Sequence, residues 1–184
     1  LPRIVAQRAD ILPILGEIFR EHGYDGAALA EISARTGLGR SSLYHFFPGG
    51  KDEMAQAVLA EIDDWFERHV FRPLAGAAEA AQAIDAMFTA VESYFRSGRR
   101  VCLVGLLALS DSRDRFGAAI ASYFRRWTDA LTAALRRAGE AEAEAVAEDI
   151  MAAIQGGLVM ARALNEPELF CRVIGRCRKI RKRE

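Results

Sequence analysis

Apolar residues recur along nearly the whole chain with a helical period, and no segment sustains the two-residue alternation of a half-buried strand. That pattern confines the chain to an all-helical fold. Ile11, Leu15, Ile18 and Phe19 make one stripe of a first helix, which Gly23 is placed to end. Pro13 has two readings. With Asp10 as N-cap it falls in the first turn, where its missing N–H costs nothing; otherwise it kinks a longer helix that starts near Ile4. Two short helices follow, over Leu29–Thr36 and Arg40–Phe46, separated by Gly37-Leu38-Gly39, and Pro48-Gly49-Gly50 stops the second. A long helix from Asp52 to about Phe71 sets Met54, Val58, Ile62, Trp65 and Phe66 on one face, with Arg72-Pro73 as its expected end. Four more are predicted over about Ala78–Arg96, Cys102–Leu109, Arg113–Ala138 and Glu142–Leu164; Ser97-Gly98 breaks the first of these. Asn165-Glu166-Pro167 opens a last helix to about Lys179, making nine in all.

With 184 residues, 51% of them hydrophobic and 27% charged, the chain is long enough for a real core and is ordinary globular material. The richest apolar run, Val101 to Leu109, is half the roughly 18–20 residues that a bilayer span needs, so no membrane is expected. No secretory signal pattern opens the chain, and because it begins on Leu1 rather than Met, a few residues are expected ahead of it. Three cysteines do not make a disulfide framework, and Cys171 and Cys177, six apart on a helix, point to different faces. Reduced thiols in a cytoplasmic protein are the expectation. The formal net charge is zero, and residues 1–51 carry six Lys/Arg against five Asp/Glu, so bulk electrostatics neither favours nor excludes nucleic acid. His22, His45 and His69 lack metal-ligand spacing, and no nucleophile elbow, P-loop or dinucleotide fingerprint is present. No enzyme, metal or cofactor is expected.

The informative stretch runs from Gly23 to Asp52. Two short amphipathic helices joined by a glycine turn fit a helix-turn-helix, although helix pairs of this kind also occur as plain structure. Leu29, Ile32 and Leu38 supply its inner core, and Leu43 and Phe47 pin its second helix to the first and fourth. That leaves Arg40, Ser41, Ser42, Tyr44 and His45 facing outward, the hydroxyl, imidazole and guanidinium groups that reach base edges and phosphates. Lys51, at the start of the next helix, combines a cation with free backbone N–H groups as a phosphate anchor.

Phe19 to Met54, with Gly23-Tyr24, Leu43-Tyr44-His45-Phe46-Phe47 and Lys51-Asp52-Glu53-Met54 as its skeleton, resembles the DNA-binding domain of TetR-type (TetR/AcrR) regulators. The resemblance implies a nine-helix architecture, with a DNA-binding domain over 1–50 and a ligand-binding and dimerisation domain over 51–184, in which 51–73 is the connecting helix. It also implies a homodimer reading a pseudo-palindromic operator in double-stranded DNA, with Tyr44 and Lys51 as phosphate contacts. Two departures stand out. Ala27-Ala28 replaces the Thr or Ser that usually caps the second helix, and Gly39 stands where a capping Ser is common.

Beyond residue 75, Cys102–Leu109, Tyr123–Trp127 and Ala153–Leu158 are similar to the C-terminal part of LmrA/YxaF multidrug-type regulators. That similarity implies an effector pocket among the fifth to eighth helices and dimerisation through the last two. Phe88, Phe95, Tyr123 and Trp127, with Leu106 and Met151, suit a small apolar or aromatic effector, and Gln155 is the polar residue best placed to orient it. For any one of these aromatics, plain core filling is the stronger reading. Gly156-Gly157 inside an apolar helix costs about 1 kcal/mol each relative to Ala unless close packing compensates, as an interface would. The tail from Arg172 to Glu184, seven Lys/Arg against one Glu, reads as a solvated, frayed terminus. Repression relieved by ligand is the default expectation, and activation by a ligand-bound form is the alternative.

Overall fold

A computed structural model describes residues 7–76 and 79–180, with side chains to 179. The possible helix start near Ile4, the predicted start at Ala78 and the last four residues of the tail lie outside them. Among the described residues there are nine helices and no strand. They are α1 (Arg8–Gly26), α2 (Leu29–Thr36), α3 (Arg40–Phe46), α4 (Gly50–Phe66, continued through a π turn at Glu67–Phe71 into Arg72–Gly76), α5 (Ala80–Tyr94), α6 (Leu103–Ala108), α7 (Gly117–Arg137), α8 (Ala143–Ala163) and α9 (Pro167–Ile180). Short 3-10 turns occupy Arg96–Gly98 and Asp111–Phe116.

The helices form two compact units. One takes the chain up to Asp64 together with Leu103–Ile120; the other takes Trp65–Cys102 together with the chain from Ala121. The chain passes between them three times: inside α4, between Cys102 and Leu103, and inside α7. In the first unit Ile11, Leu15, Ile18 and Phe19 of α1 are buried with Ile32, Leu43, Phe47, Met54, Val58 and Ile62. Helix α6 lies against α1, and Leu103, Val104, Leu107 and Phe116 complete this core. In the second unit Phe66, Val70 and Leu74 are buried with Ile84, Met87, Phe88 and Val91 of α5, Tyr123, Trp127 and Leu131 of α7, and Ile150 and Ile154 of α8. Phe170, Ile174 and Cys177 are the buried side of α9. Burial of each large side chain stabilises by about 1.5–3 kcal/mol, which is why the apolar stripes decide the packing.

Four details differ from the sequence expectation, each for a physical reason. Asp10 is not the N-cap; Gln7 is, and Pro13 is the sixth residue of α1. The carbonyl of Ala9 thereby loses its helical partner, a loss tolerated because both Ala9 and Pro13 face solvent. Arg72-Pro73 does not end α4. The π turn lets the Arg72 N–H donate to the Glu67 carbonyl five residues back, and that wider turn accommodates the proline. Gly157 is used inside the protomer: a Cβ there would lie 3.3–3.4 Å from Val173 and Phe170 of α9, whereas Gly156 meets nothing within 4 Å. The tail is docked as far as Arg178, which donates to the Asp85 carbonyl at 2.9 Å and to Glu92 at 3.0 Å on α5, with its guanidinium over Phe88.

The break after α5 is sharper than a simple stop. Arg96, Ser97 and Gly98 take φ values of 50°, 54° and 90° in succession, a left-handed run that costs non-glycine residues roughly 1–2 kcal/mol each. At Gly98 a Cβ would stand 2.6 Å from the Pro167 carbonyl oxygen and 2.8 Å from Phe170 Cβ, so the start of α9 can close on this turn only over glycine. Gly98→Ala is expected to lower unfolding free energy by about 1–3 kcal/mol, measured by urea denaturation.

Candidate nucleic-acid interface

Helix α3 has seven residues, far below the roughly 12–15 at which an isolated helix holds together in water, so its packing must fix it. Leu43 and Phe47 are its buried side, 1% and 0% exposed. The Arg8 guanidinium lies 4.7 Å over the Phe47 ring and pairs with Glu53 at 3.0 Å. With that side inward, Arg40, Ser41, Ser42, Tyr44 and His45 all face solvent, as expected from their spacing. The turn before α3 depends on Gly37, at φ 71°, whose N–H donates to the Ser33 carbonyl. Thr36 Oγ1 donates back to the Ile32 carbonyl and Ser33 Oγ to the Leu38 carbonyl, which ties the turn to α2. Neither Ala28 nor Gly39 makes a side-chain cap, so α2 and α3 start without one.

The start of α4 is held more firmly. Gly50 adopts φ 67°, and its missing Cβ makes room for the Tyr44 ring, whose Cε1 would lie 3.4 Å from it. The half-buried Lys51 turns its ammonium inward, donating to the Tyr24 carbonyl at 2.9 Å and the Asp25 carbonyl at 3.4 Å while lying 4.5 Å over the Tyr24 ring. Asp52 accepts from the Tyr24 hydroxyl and, at 2.5 Å, from Arg115 Nη1. Hydrogen bonding from Tyr24, reinforced by Arg115, holds the Asp52 carboxyl below its usual range. Burial and the Asp52 contact push the Tyr24 phenol up to about 12.

Residues 17–58 match the family described as bacterial regulatory proteins, tetR family, and residues 80–175 match that described as transcriptional regulator LmrA/YxaF-like, C-terminal domain. The chain is a TetR-family transcriptional regulator. The HTH-type transcriptional regulator LmrA of Bacillus subtilis (strain 168) is 26% identical over 159 residues, covering 83% of this chain and 85% of that protein. In fold it is similar to a TetR-family regulator from Agrobacterium tumefaciens, with a TM-score of 0.79 and 23% identity over 94% of this chain and 95% of that one. It is also similar to the regulator CifR, solved with a 26-bp operator, with a TM-score of 0.75 and 24% identity over 97% and 98% of the two chains. The family consists of DNA-binding regulators, not enzymes. No helix among the described residues of this TetR-family chain is long and apolar enough to cross a membrane, and no group of metal-ligating side chains occurs among them.

The predicted effector residues of the regulator fall into several environments. Phe95, Tyr123 and Trp127 surround the Phe66 ring at centroid distances of 6.4, 4.9 and 5.0 Å. Trp127 Nε1 donates to Met87 Sδ at 3.4 Å, and Met151 is buried. Gln155 has a buried Nε2 that makes no hydrogen bond. Phe88 instead lies beneath Arg178. Leu106 belongs to the first unit, where its Cδ2 would sit 3.9 Å from a Cβ on Gly23. Sequence reasoning missed Phe66 as the hub of the aromatic group and missed Arg115, Asp52 and Tyr24 as a connected set. Tyr24 and Asp52 stood in the quoted motif, but nothing in the local pattern around Arg115 announced its partner.

The folded state binds the Tyr24 proton more tightly than an ordinary phenol near pH 10, so the resulting stability is complete below that pH and disappears as pH rises to about 12. Absorbance titration at 295 nm should show a phenol ionising near 12, and Tyr24→Phe should remove that step.

Proposed function

We propose that this regulator binds a pseudo-palindromic operator as a homodimer, places the outer side of α3 in successive major grooves, and represses until a small apolar or aromatic effector releases it. In this reading residues 1–50 are the DNA-binding part and 51–184 the sensing and dimerising part of a cytoplasmic protein. The observation that carries it is the exposed Arg40-Ser41-Ser42-Tyr44-His45 set on a helix anchored from behind by Leu43 and Phe47. A guanidinium, hydroxyls and an imidazole presented together on one convex ridge suit phosphate oxygens and base edges. Lys51 uses two of its three N–H donors on carbonyls of the Tyr24–Asp25 turn, which leaves one for a phosphate. That CifR was solved with operator DNA supports the same use of this fold.

Two further observations support the dimer and the effector. Helix α8 and its C-cap leave Val159, Met160 and Leu164 51–61% exposed, in line with the bare Gly156, an apolar stripe that a second copy would cover together with α9. The aromatic group around Phe66 offers flat apolar surface, and the unpaired Gln155 amide, a buried donor costing roughly 1–3 kcal/mol while unsatisfied, would be relieved by an acceptor on a ligand. Because α4 runs unbroken from the reading head to the residues of that group, a shift of α4 on effector entry would couple the two functions.

The test is to let the purified protein select duplexes from a random-sequence pool and to measure its affinity for the enriched duplex. Arg40→Ala, Ser42→Ala and Tyr44→Ala should each weaken binding by about 1–3 kcal/mol with an unchanged melting temperature. Failure to enrich any duplex, or unchanged affinity in all three variants, would overturn the reading.

A further inference from the structure

Resting on that DNA-binding reading, we infer that Arg115 is a positioning residue for operator recognition: it touches no DNA but fixes the start of α4, and through it the reading face of α3. Helix α3 takes its orientation from its neighbours, and its outward Tyr44 rests on the Gly50 turn where α4 begins. The described ties on that turn are the Lys51 ammonium on the Tyr24 and Asp25 carbonyls, the Tyr24 hydroxyl on Asp52, and the Arg115 guanidinium on Asp52. The first two come from α1, itself part of the reading head. The third comes from the 3-10 turn Asp111–Phe116, 63 residues away in sequence and directly continuous with α7.

The cluster around Arg115 is more than a single surface ion pair. Its guanidinium also lies 5.4 Å over the Tyr24 ring, on which the Phe116 ring stands edge-on at 5.1 Å. Tyr24 is thereby touched by two cations, one at the start of α4 and one on the Asp111–Phe116 turn, and its hydroxyl shares the Asp52 carboxylate with the second. Phe116 reaches α1 by ring contact with Tyr24, whereas Arg115 reaches α4 itself. Arg115 and Asp52 are each about half exposed, so their pair contributes little to global stability. A residue worth little to folding yet tied to the start of α4, on which the reading helix rests, acts on orientation, and orientation is what operator affinity reads.

The experiment compares Arg115→Gln with the neighbouring Arg113→Gln, whose side chain, among the described residues, pairs locally with Asp114, using the duplex enriched by the wild-type protein. We expect Arg115→Gln to weaken binding about fivefold or more, the lower end of ordinary site-to-site coupling, with Arg113→Gln unchanged. The slope of log affinity against log salt should stay at the wild-type value, since a lost phosphate contact would lower it by about one. In an Asp52→Asn background the Arg115→Gln effect should vanish, and Arg115→Lys should restore part of it. Unchanged affinity in Arg115→Gln, while Tyr44→Ala still weakens binding, overturns the inference. So does a reduced salt slope, which would make Arg115 a phosphate contact, and so does a fall in melting temperature large enough to account for the loss. A wild-type protein that enriches no duplex fails the DNA-binding reading itself, and this inference with it.

Discussion

Burial of Leu43 and Phe47 is the interaction on which the rest depends. A seven-residue helix has almost no stability of its own, so the surface it presents is decided by what its back is pressed against. With those two side chains inside the first core, the five polar residues between and around them have no choice but to face out. Specific recognition then needs no unusual charge: the chain is neutral overall, and what counts is the placement of a few groups on one ridge.

The start of α4 carries the second half of that placement. Gly50 lets the chain turn beneath Tyr44, Lys51 closes on the Tyr24–Asp25 turn, and Asp52 gathers the Tyr24 hydroxyl and Arg115. At its far end the same helix absorbs Pro73 through a π turn, where Glu67 pairs with Arg126 at 2.5 Å and Phe71 lies under the same guanidinium. Within the first unit the start of α4 is tied to the Asp111–Phe116 turn, and within the second its end is tied to α7.

Much of this is legible in the amino-acid sequence. The limits of α2 and α3 follow from Gly37 and Pro48, which interrupt short apolar patterns, and the outward set on α3 follows once Leu43 and Phe47 are taken as its back. What escaped is tertiary in origin. A π turn has no sequence signature, so Pro73 read as a stop. Arg178 read as frayed because its partners lie 86 to 93 residues away on α5, and Arg115 was silent because Asp52 lies 63 residues off. Of the two adjacent glycines, only the packing of α9 tells which one is covered: Gly157 is, and Gly156 is not.

The most direct measurement of the central claim is hydrogen exchange, followed by mass spectrometry, in Leu43→Ala against the wild-type protein. If reverse-side burial is what holds the reading helix, amides of 43–47 lose protection while those of α1 and α5 keep theirs, and operator binding falls with them. Protection of α3 equal to wild type in Leu43→Ala would contradict the account, because the helix would then be holding its place without the contact said to fix it.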